Sequence, residues 1–190
     1  MVFFFYGTLM DDELRRALAG PRDARLRIEP GLLLHRDRRR ARFGAYPVLV
    51  PAPGRRVAGQ LVAGVDPHLA LWIAHFEGPG YLPTPLAAQN RAGRRVRAIT
   101  FAPESLDEAG REPWDFRRWQ RRDKPGVRRL LQSWLLARAD GRPLALDVPW
   151  RVRRQLQALS EAENAAGNLA ENAAGNAADR MKDARAALVP

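Results

Sequence analysis

The sequence predicts an α+β fold in which most of the strands precede most of the helices. Short apolar or alternating runs, rich in β-branched and aromatic residues, recur through the first hundred or so residues and are typical of strands. From about residue 112 onward, apolar residues at helical spacing dominate instead. This segregation of strands and helices along the chain is typical of α+β proteins.

The first strand is predicted at residues 2–6, a continuous apolar run that suits burial on both faces of a sheet. Gly7 ends the run, because glycine adopts backbone conformations that other residues avoid. Residues 11–18 are predicted as a short helix, with acids at its start and arginines behind them. A strand, a glycine turn and a helix start gather free backbone N–H groups, which predicts a site for a carboxylate or phosphate. A tight turn without a ligand is the alternative.

Further strands are predicted at residues 25–34, 44–51, 57–65, 86–89 and 95–102. The last two form a hairpin around a short loop that contains glycine. Glycines within the third of these strands indicate a bulge or a close approach of neighbouring backbone. Residues 53–56 are predicted as a turn, and the charged run 35–42 as a solvated loop or an edge strand.

A helix is predicted to begin at Asp66, its N-cap, and to run to about residue 76. Glu77 follows the apolar stripe of this helix, and glycines at positions 78 and 80 end it. A half-buried glutamate has a raised pKa that suits general-base work near neutral pH, so Glu77 is the candidate catalytic carboxylate. A solvent-facing Glu77 is the alternative, since negative charge at a helix C-terminus is unfavourable.

The region from residue 112 is predicted as two helices separated at residues 124–126, with tryptophans at helical spacing and many arginines between them. A solvated basic face around an aromatic core is one interpretation; a face that tracks phosphates and stacks bases is the other. Residues 140–143 are predicted as a turn and residues 149–159 as a further helix. Residues 162–168 recur as 170–176, and these small side chains predict a marginal helix or disorder.

Composition excludes several classes of chemistry. The 190 residues contain no cysteine, so disulfides, thiolate metal sites and cysteine nucleophiles are excluded. The three histidines share no ligand spacing, and no metal is expected. No run approaches the roughly 20 apolar residues of a membrane span, and no basic region precedes the first strand, so we expect a cytoplasmic protein that does not enter membranes. The net charge of +11 attracts polyanions.

Two motifs together identify a family. Residues 6–9, Tyr-Gly-Thr-Leu, match the pattern Y-G-[ST]-L, and residues 77–81 match E-G-x-x-Y. On these motifs the chain resembles the γ-glutamylcyclotransferase-like family, which includes γ-glutamylamine cyclotransferases and the plant avirulence-induced branch. Tyr46-Pro47 and the strand after Arg56 also resemble the family. The resemblance covers roughly residues 1–102, and the tryptophan-rich helices are similar to an extension of some bacterial members.

The resemblance implies a fold and a reaction. The fold is a small mixed β-barrel-like sheet flanked by helices, here with a C-terminal helical extension. The α-amine of a γ-glutamyl amine or peptide attacks its own γ-carbonyl, which closes 5-oxoproline and releases the amine. Glu77 corresponds to the catalytic acid/base, and no cofactor is needed. The residues implied to bind this small-molecule substrate are Tyr6, Gly7, Thr8, Leu9, Tyr46 and Tyr81.

The resemblance divides the chain into a cyclotransferase-like domain at 1–110, an Arg/Trp-rich helical extension at 111–160 and an Ala/Asn-rich tail at 161–190. Many family members carry an arginine two residues after the tyrosine of E-G-x-x-Y, where this chain has Pro83. If that arginine sets substrate choice, this protein has a different substrate or a lower activity. A non-catalytic module of the same fold, with a basic face that binds nucleic acid, is the alternative function. The oligomeric state is left open.

Overall fold

The computed structural model of the protein describes residues 1–139 and 148–186. The predicted turn at residues 140–143 and the last four residues of the predicted tail, 187–190, lie outside these ranges. The strands are β1 (Val2–Phe5), β2 (Arg27–Ala41), β3 (Pro47–Ala63), β4 (Tyr81–Asn90), β5 (Arg95–Pro103) and β6 (Ala109–Pro113). The helices are α1 (Asp12–Ala19), α2 (Pro67–Glu77), α3 (Phe116–Arg122), α4 (Lys124–Ala139) and α5 (Trp150–Ala186).

The strands close into a small mixed barrel. Their order is β3-β1-β5-β4-β2, and pairing of β2 with β3 closes the ring, while β6 adds to the other edge of β2. The pairing of β1 with β5 is parallel, at Phe3 opposite Ile99, whereas the other pairings between the described strands are antiparallel. The predicted α+β fold with a barrel-like mixed sheet is therefore confirmed. Closure of the sheet also removes open strand edges that would otherwise be exposed.

The barrel is built around one long hairpin, β2–β3. The predicted turn at residues 53–56 is wrong, because β3 runs through it without a break and pairs with β2 on both sides. A register shift between Leu34 and Arg36 inserts a bulge, with φ of 57° at His35 and 78° at Gly54. A bulge bends a ribbon and increases its twist, so one hairpin can serve two parts of the barrel. The charged run was predicted as a solvated loop or an edge strand; residues 35–41 of it belong to strand β2, which pairs with β3 and, at Arg39 and Ala41, with β6.

The core follows the alternation of β1. Phe4 and Tyr6 point into the barrel, where they pack with aliphatic residues from the other strands: Leu33, Leu49, Val57, Leu61, Ala88 and Ala98. Phe5 points the other way and lines a small space with Leu18 of α1 and Ile73 of α2. Both faces of β1 are thus buried, as its continuous apolar sequence predicts.

The predicted close approach of backbone occurs at Gly59. A Cβ atom at this position would collide with the carbonyl oxygen of Phe5 and the ring of Phe4. Since β1 and β3 are hydrogen-bonded neighbours here, only glycine lets them pair at this spacing.

The first three helices begin at aspartate caps: Asp11 caps α1, Asp66 caps α2 and Asp115 caps α3. Asp66 caps α2, accepting a hydrogen bond from the Leu69 backbone N–H at 2.7 Å, as predicted. Asp115 caps α3, which therefore begins later than the predicted helical region at 112; residues 109–113 form strand β6 instead. Trp114 and Trp119 are buried, which confirms an aromatic core stripe beneath the basic surface of this region.

The chain divides into two compact units, Met1–Leu156 and Gln157–Pro190. In the second unit the described residues continue α5 as far as Ala186, so the repeated small-residue segments are helical. None of the helices within the described ranges combines the length and the apolar character needed to cross a membrane.

Candidate active site

Glu77 stands where α2 ends. It is the last residue of the helix, and Gly78 caps it with φ of 87° and an N–H bond to the Ala74 carbonyl at 3.1 Å. That left-handed conformation suits glycine, so the chain can turn sharply from α2 into β4. The face of α2 that leads to this point is buried and consists of Leu69, Trp72 and Ile73. The buried helix therefore delivers a carboxylate to the edge of the core.

A cavity of about 380 Å³ opens at this point within the first unit. Its walls come from the end of β1 and the turn after it, from the α2–β4 connection, from β5 and from α4. The structure brings all the predicted site residues to this one cavity: Tyr6, Gly7, Thr8, Leu9, Tyr46, Glu77 and Tyr81. This shared placement agrees with the resemblance.

The Glu77 carboxylate is held in an apolar setting. Burial raises its pKa from 4.5 to about 8, and no group in the described part of the chain hydrogen-bonds or ion-pairs to it. The residue keeps a small accessible surface, but that surface faces the cavity that Phe76 and Tyr81 help to line. The apolar surroundings of the carboxyl group therefore dominate, and Glu77 is mainly protonated at neutral pH.

Tyr6 and Tyr81 are fixed on either side of this carboxylate. The Tyr6 hydroxyl donates to the Phe101 carbonyl at 2.9 Å, and the Tyr81 hydroxyl donates to the Pro47 carbonyl at 3.2 Å. Burial, followed by the charge of Glu77, raises the pKa of both phenols, so both lie within electrostatic reach of the carboxylate. Since both hydroxyl protons are donated to backbone carbonyls and both pKa values are raised, these tyrosines do not titrate near neutral pH.

The turn after β1 forms the opposite wall. Gly7 packs so closely on Pro47 that a Cβ atom would lie 2.7 Å from the proline Cγ. A single 3₁₀ turn, Thr8–Met10, follows, and its first N–H groups have no acceptor inside the turn. Arg38 holds this wall from outside, donating from Nη1 to the Tyr6 carbonyl at 2.7 Å. The turn thus presents polar backbone to an otherwise apolar cavity.

Sequence reasoning missed part of the site. Glu108 lines the mouth and accepts a hydrogen bond from the Tyr46 hydroxyl at 3.1 Å, while the Tyr46 ring packs edge-on against Tyr81 at 6.1 Å. Three residues of α4 line the same cavity: Val127, Leu130 and Trp134. The helical spacing of the tryptophans predicts a core stripe, and nothing in the local pattern singles out Glu108, since only the fold brings it beside Tyr46.

Comparison with known proteins places this site in a family. The sequence family described as "Gamma-glutamyl cyclotransferase, AIG2-like" matches residues 3–121. Among curated proteins, no sequence matches this chain.

Three solved structures are similar to this chain, and the first of them shows the same fold. An Arabidopsis thaliana protein determined in solution has a TM-score of 0.51 at 17% identity, over 74% of this chain and 84% of its own. A second Arabidopsis thaliana protein has a TM-score of 0.48 at 18% identity, over 75% of this chain and 93% of its own. A protein named gamma-glutamyl cyclotransferase has a TM-score of 0.44 at 14% identity, over 54% of this chain and 66% of its own.

Proposed function

Because the chain belongs to the gamma-glutamyl cyclotransferase, AIG2-like family, we propose that it converts a γ-glutamyl amine or peptide into 5-oxoproline and a free amine. The observation that carries this proposal is the placement of Glu77. It is a desolvated carboxylate with a pKa of about 8, in a cavity that residues of both family motifs line and whose size suits a small molecule.

The reaction needs one group that takes a proton and returns it. The substrate α-ammonium gives a proton to the Glu77 carboxylate, and the freed amine attacks the γ-carbonyl carbon. The new C–N bond closes a five-membered ring, and the former amide C–N bond breaks. Glu77 returns its proton to the departing nitrogen, and the regenerated carboxylate then passes the second proton of the ring nitrogen to the released amine, which leaves as an ammonium. Both protons thus come from the substrate ammonium, and no water is consumed. A carboxylate with a pKa of about 8, close to neutral pH, suits these transfers.

Binding in a folded-back conformation supplies much of the rate. An extended γ-glutamyl chain rarely brings its own amine to its γ-carbonyl, whereas a closed pocket holds the two within reach. We propose that the backbone N–H groups at Gly7, Thr8 and Leu9 bind the α-carboxylate or the oxyanion. Tyr6, Tyr46 and Tyr81 form the remaining walls around the glutamyl group.

The test is release of 5-oxoproline, measured by mass spectrometry, from a panel of γ-glutamyl amines and dipeptides. We expect wild type to release it and Glu77→Gln to lose at least about 100-fold in rate, the usual contribution of a general acid/base. Glu112→Gln is the matched control, because this glutamate is exposed and lies outside the cavity. Full turnover by Glu77→Gln would contradict the mechanism, and no release from any substrate would contradict the function.

The alternative, a nucleic-acid-binding module, depends on free cations in the basic region. Some are already engaged within the protein: Lys124 pairs with Asp11 and Glu13 at 2.9 and 2.8 Å, and Arg128 with Glu13 at 3.3 Å. These pairs favour the enzymatic proposal. Retention on RNA or DNA that weakens steeply with salt near physiological ionic strength would support the alternative instead.

A further inference from the structure

We propose that α4 selects the leaving amine: the site accepts γ-glutamyl amides of apolar, aryl or alkyl amines and disfavours amides whose leaving amine carries a carboxylate. This inference rests on the proposed function and names the substrate class of the same site. It concerns the half of the substrate that the two family motifs do not contact.

The wall that α4 forms lies directly beside Glu77. Trp134 packs against the end of α2, with ring centroids 4.8 Å from His75 and 6.3 Å from Phe76, the two residues that precede Glu77. Leu130 stands one helical turn before Trp134 and is half exposed at the cavity. A leaving amine protonated by Glu77 must therefore pass its substituent along the Leu130–Trp134 surface.

The position of α4 is fixed by its other contacts. Leu131 is fully buried, and Lys124, at the first turn, pairs with Asp11 and Glu13 beside α1. The wall is thus rigidly held and does not depend on the substrate to order it. It also lies beyond residue 121, where the family match ends, so it is a feature of this chain and not of the shared motifs.

The charges of the cavity point the same way. The described residues that line it include two carboxylates, Glu77 and Glu108, and no lysine, arginine or histidine. A carboxylate on the leaving amine would lose water, find no cation there and meet Glu108 at the mouth. The glutamyl α-carboxylate is common to every substrate, so its binding cancels when leaving groups are compared.

Three compounds separate the two parts of the inference: the γ-glutamyl conjugates of phenethylamine, ethylamine and phenylalanine. The first two differ only in a phenyl ring, and the first and third only in a carboxylate. We expect kcat/KM for 5-oxoproline release to be at least about tenfold higher for the phenethylamine conjugate than for either other one, given what one buried apolar group contributes to discrimination. Equal values for all three would overturn the inference.

Variants of α4 test where the selection arises. Leu130→Ala and Trp134→Ala should each reduce the phenethylamine-over-ethylamine ratio by at least about threefold, because each removes part of the apolar wall. Leu136→Ala is the matched control: it is 72% exposed on the same helix, does not line the cavity and should leave the ratio unchanged. Leu130→Arg, but not Leu136→Arg, should favour the phenylalanine conjugate by supplying the missing cation. Ratios unchanged in every Leu130 and Trp134 variant would overturn the assignment.

Binding measurements separate this inference from the proposed function. Dissociation constants of the three compounds on Glu77→Gln, obtained by calorimetry, report the wall without any turnover. If wild type turns over none of them, the proposed function fails, and the binding ratios alone decide the inference. Tighter binding of the phenethylamine conjugate that disappears when Leu130→Ala is added supports the inference. Equal binding of the three conjugates before that change overturns the inference.

Discussion

At the scale of single residues, Glu77 occupies a position that costs stability. A negative charge at the C-terminus of a helix opposes the helix dipole, and apolar surroundings with no bonding partner among the described residues disfavour it further. The protein meets this cost by keeping the carboxyl group protonated over much of the neutral range. With a pKa of about 8, the same group can take a proton from a substrate ammonium when ionised and return it to the leaving nitrogen, as cyclisation requires.

The pH dependence of the reaction follows from this pKa. Because kcat/KM reports the free enzyme, it should rise about tenfold per pH unit in the acid range and level off near pH 8 as Glu77 ionises. Initial rates at low substrate concentration between pH 5.5 and pH 9 measure this limb. Glu108→Gln is the control: the pH at which its kcat/KM levels off should be the same as in wild type. A flat profile across the range would exclude Glu77 as the titrating base.

The pH dependence of folding has the opposite sign from that of most carboxylates. Between pH 4.5 and about 8 the unfolded chain has released the Glu77 proton while the folded protein keeps it, so the free energy of unfolding falls as pH rises. Relative to Glu77→Gln, wild type should lose about 2–4 kcal/mol between pH 4 and pH 9, at about 1.4 kcal/mol per pKa unit and allowing for residual exposure. Urea unfolding of both proteins at several pH values measures the difference. Parallel stability curves would mean that Glu77 is solvated.

How far the sequence predicts this site depends on the kind of signal. Residues 6–9 and 77–81 are recognisable because each motif is contiguous, and a helix stripe followed by glycines locates Glu77 without any homologue. Glu108, Leu130 and Trp134 are different, because they reach the cavity only through the closure of the barrel and the packing of α4. Their local patterns predict a surface acid and an apolar helix face, and only tertiary structure makes them part of a pocket.

At the scale of elements, the β2–β3 hairpin shows where local signals mislead. Pro51, Pro53 and Gly54 together are typical of a turn, yet they lie inside β3, and Pro51 pairs with Arg36 across the bulge. Proline and glycine are tolerated there because a bulge breaks the regular ladder locally. The charged run of β2 continues past the bulge, and three of its arginines are partly buried there. Their partners lie within the protein: the Tyr6 carbonyl for Arg38, Asp37 for Arg39 and Asp123 for Arg40. For β2 and β3 the sequence predicts that strands exist but not that they are continuous, and β6 was not predicted at all.

The turn after β1 gives a prediction for a second element. Gly7→Ala should cost about 1–3 kcal/mol of stability, because the new methyl group overlaps the rigid ring of Pro47 at 2.7 Å and the turn must shift. A shift of this kind should also lower kcat/KM for 5-oxoproline release by at least about tenfold, since the reacting groups would no longer align. Thermal unfolding and the mass-spectrometric assay measure the two effects.

Gly126→Ala is the control for this substitution. Nothing lies within 4 Å of a Cβ atom at Gly126, and its φ is not positive, so alanine should be neutral or stabilise the helix by up to about 1 kcal/mol. If Gly7→Ala were as stable and active as Gly126→Ala, the close packing of the turn on Pro47 would have no part in forming the site.

At the scale of the whole molecule, the cavity draws on both of the first two predicted segments. Its floor comes from β1, α2 and β4, and one wall from α4, which belongs to the predicted extension. The first compact unit, Met1–Leu156, contains all of these elements. The division at residues 110 and 160 stays a prediction, and it is best tested by where the chain can be shortened without loss of the site.

Truncation separates the two compact units. A chain ending at Leu156 keeps Val148, Val152 and Leu156, which are all buried within the first unit. Its Tm should stay within about 3 °C of the full chain, less than about 1 kcal/mol for a protein of this size, and its kcat/KM should be unchanged. A chain ending at Ala139 loses those three side chains and should lose at least about 3 kcal/mol, since each buried aliphatic side chain contributes about 1.5–3 kcal/mol. Loss of 5-oxoproline release in the chain ending at Leu156 would show that residues 157–190 take part in the site. Full stability of the chain ending at Ala139 would show that α5 has no part in the core.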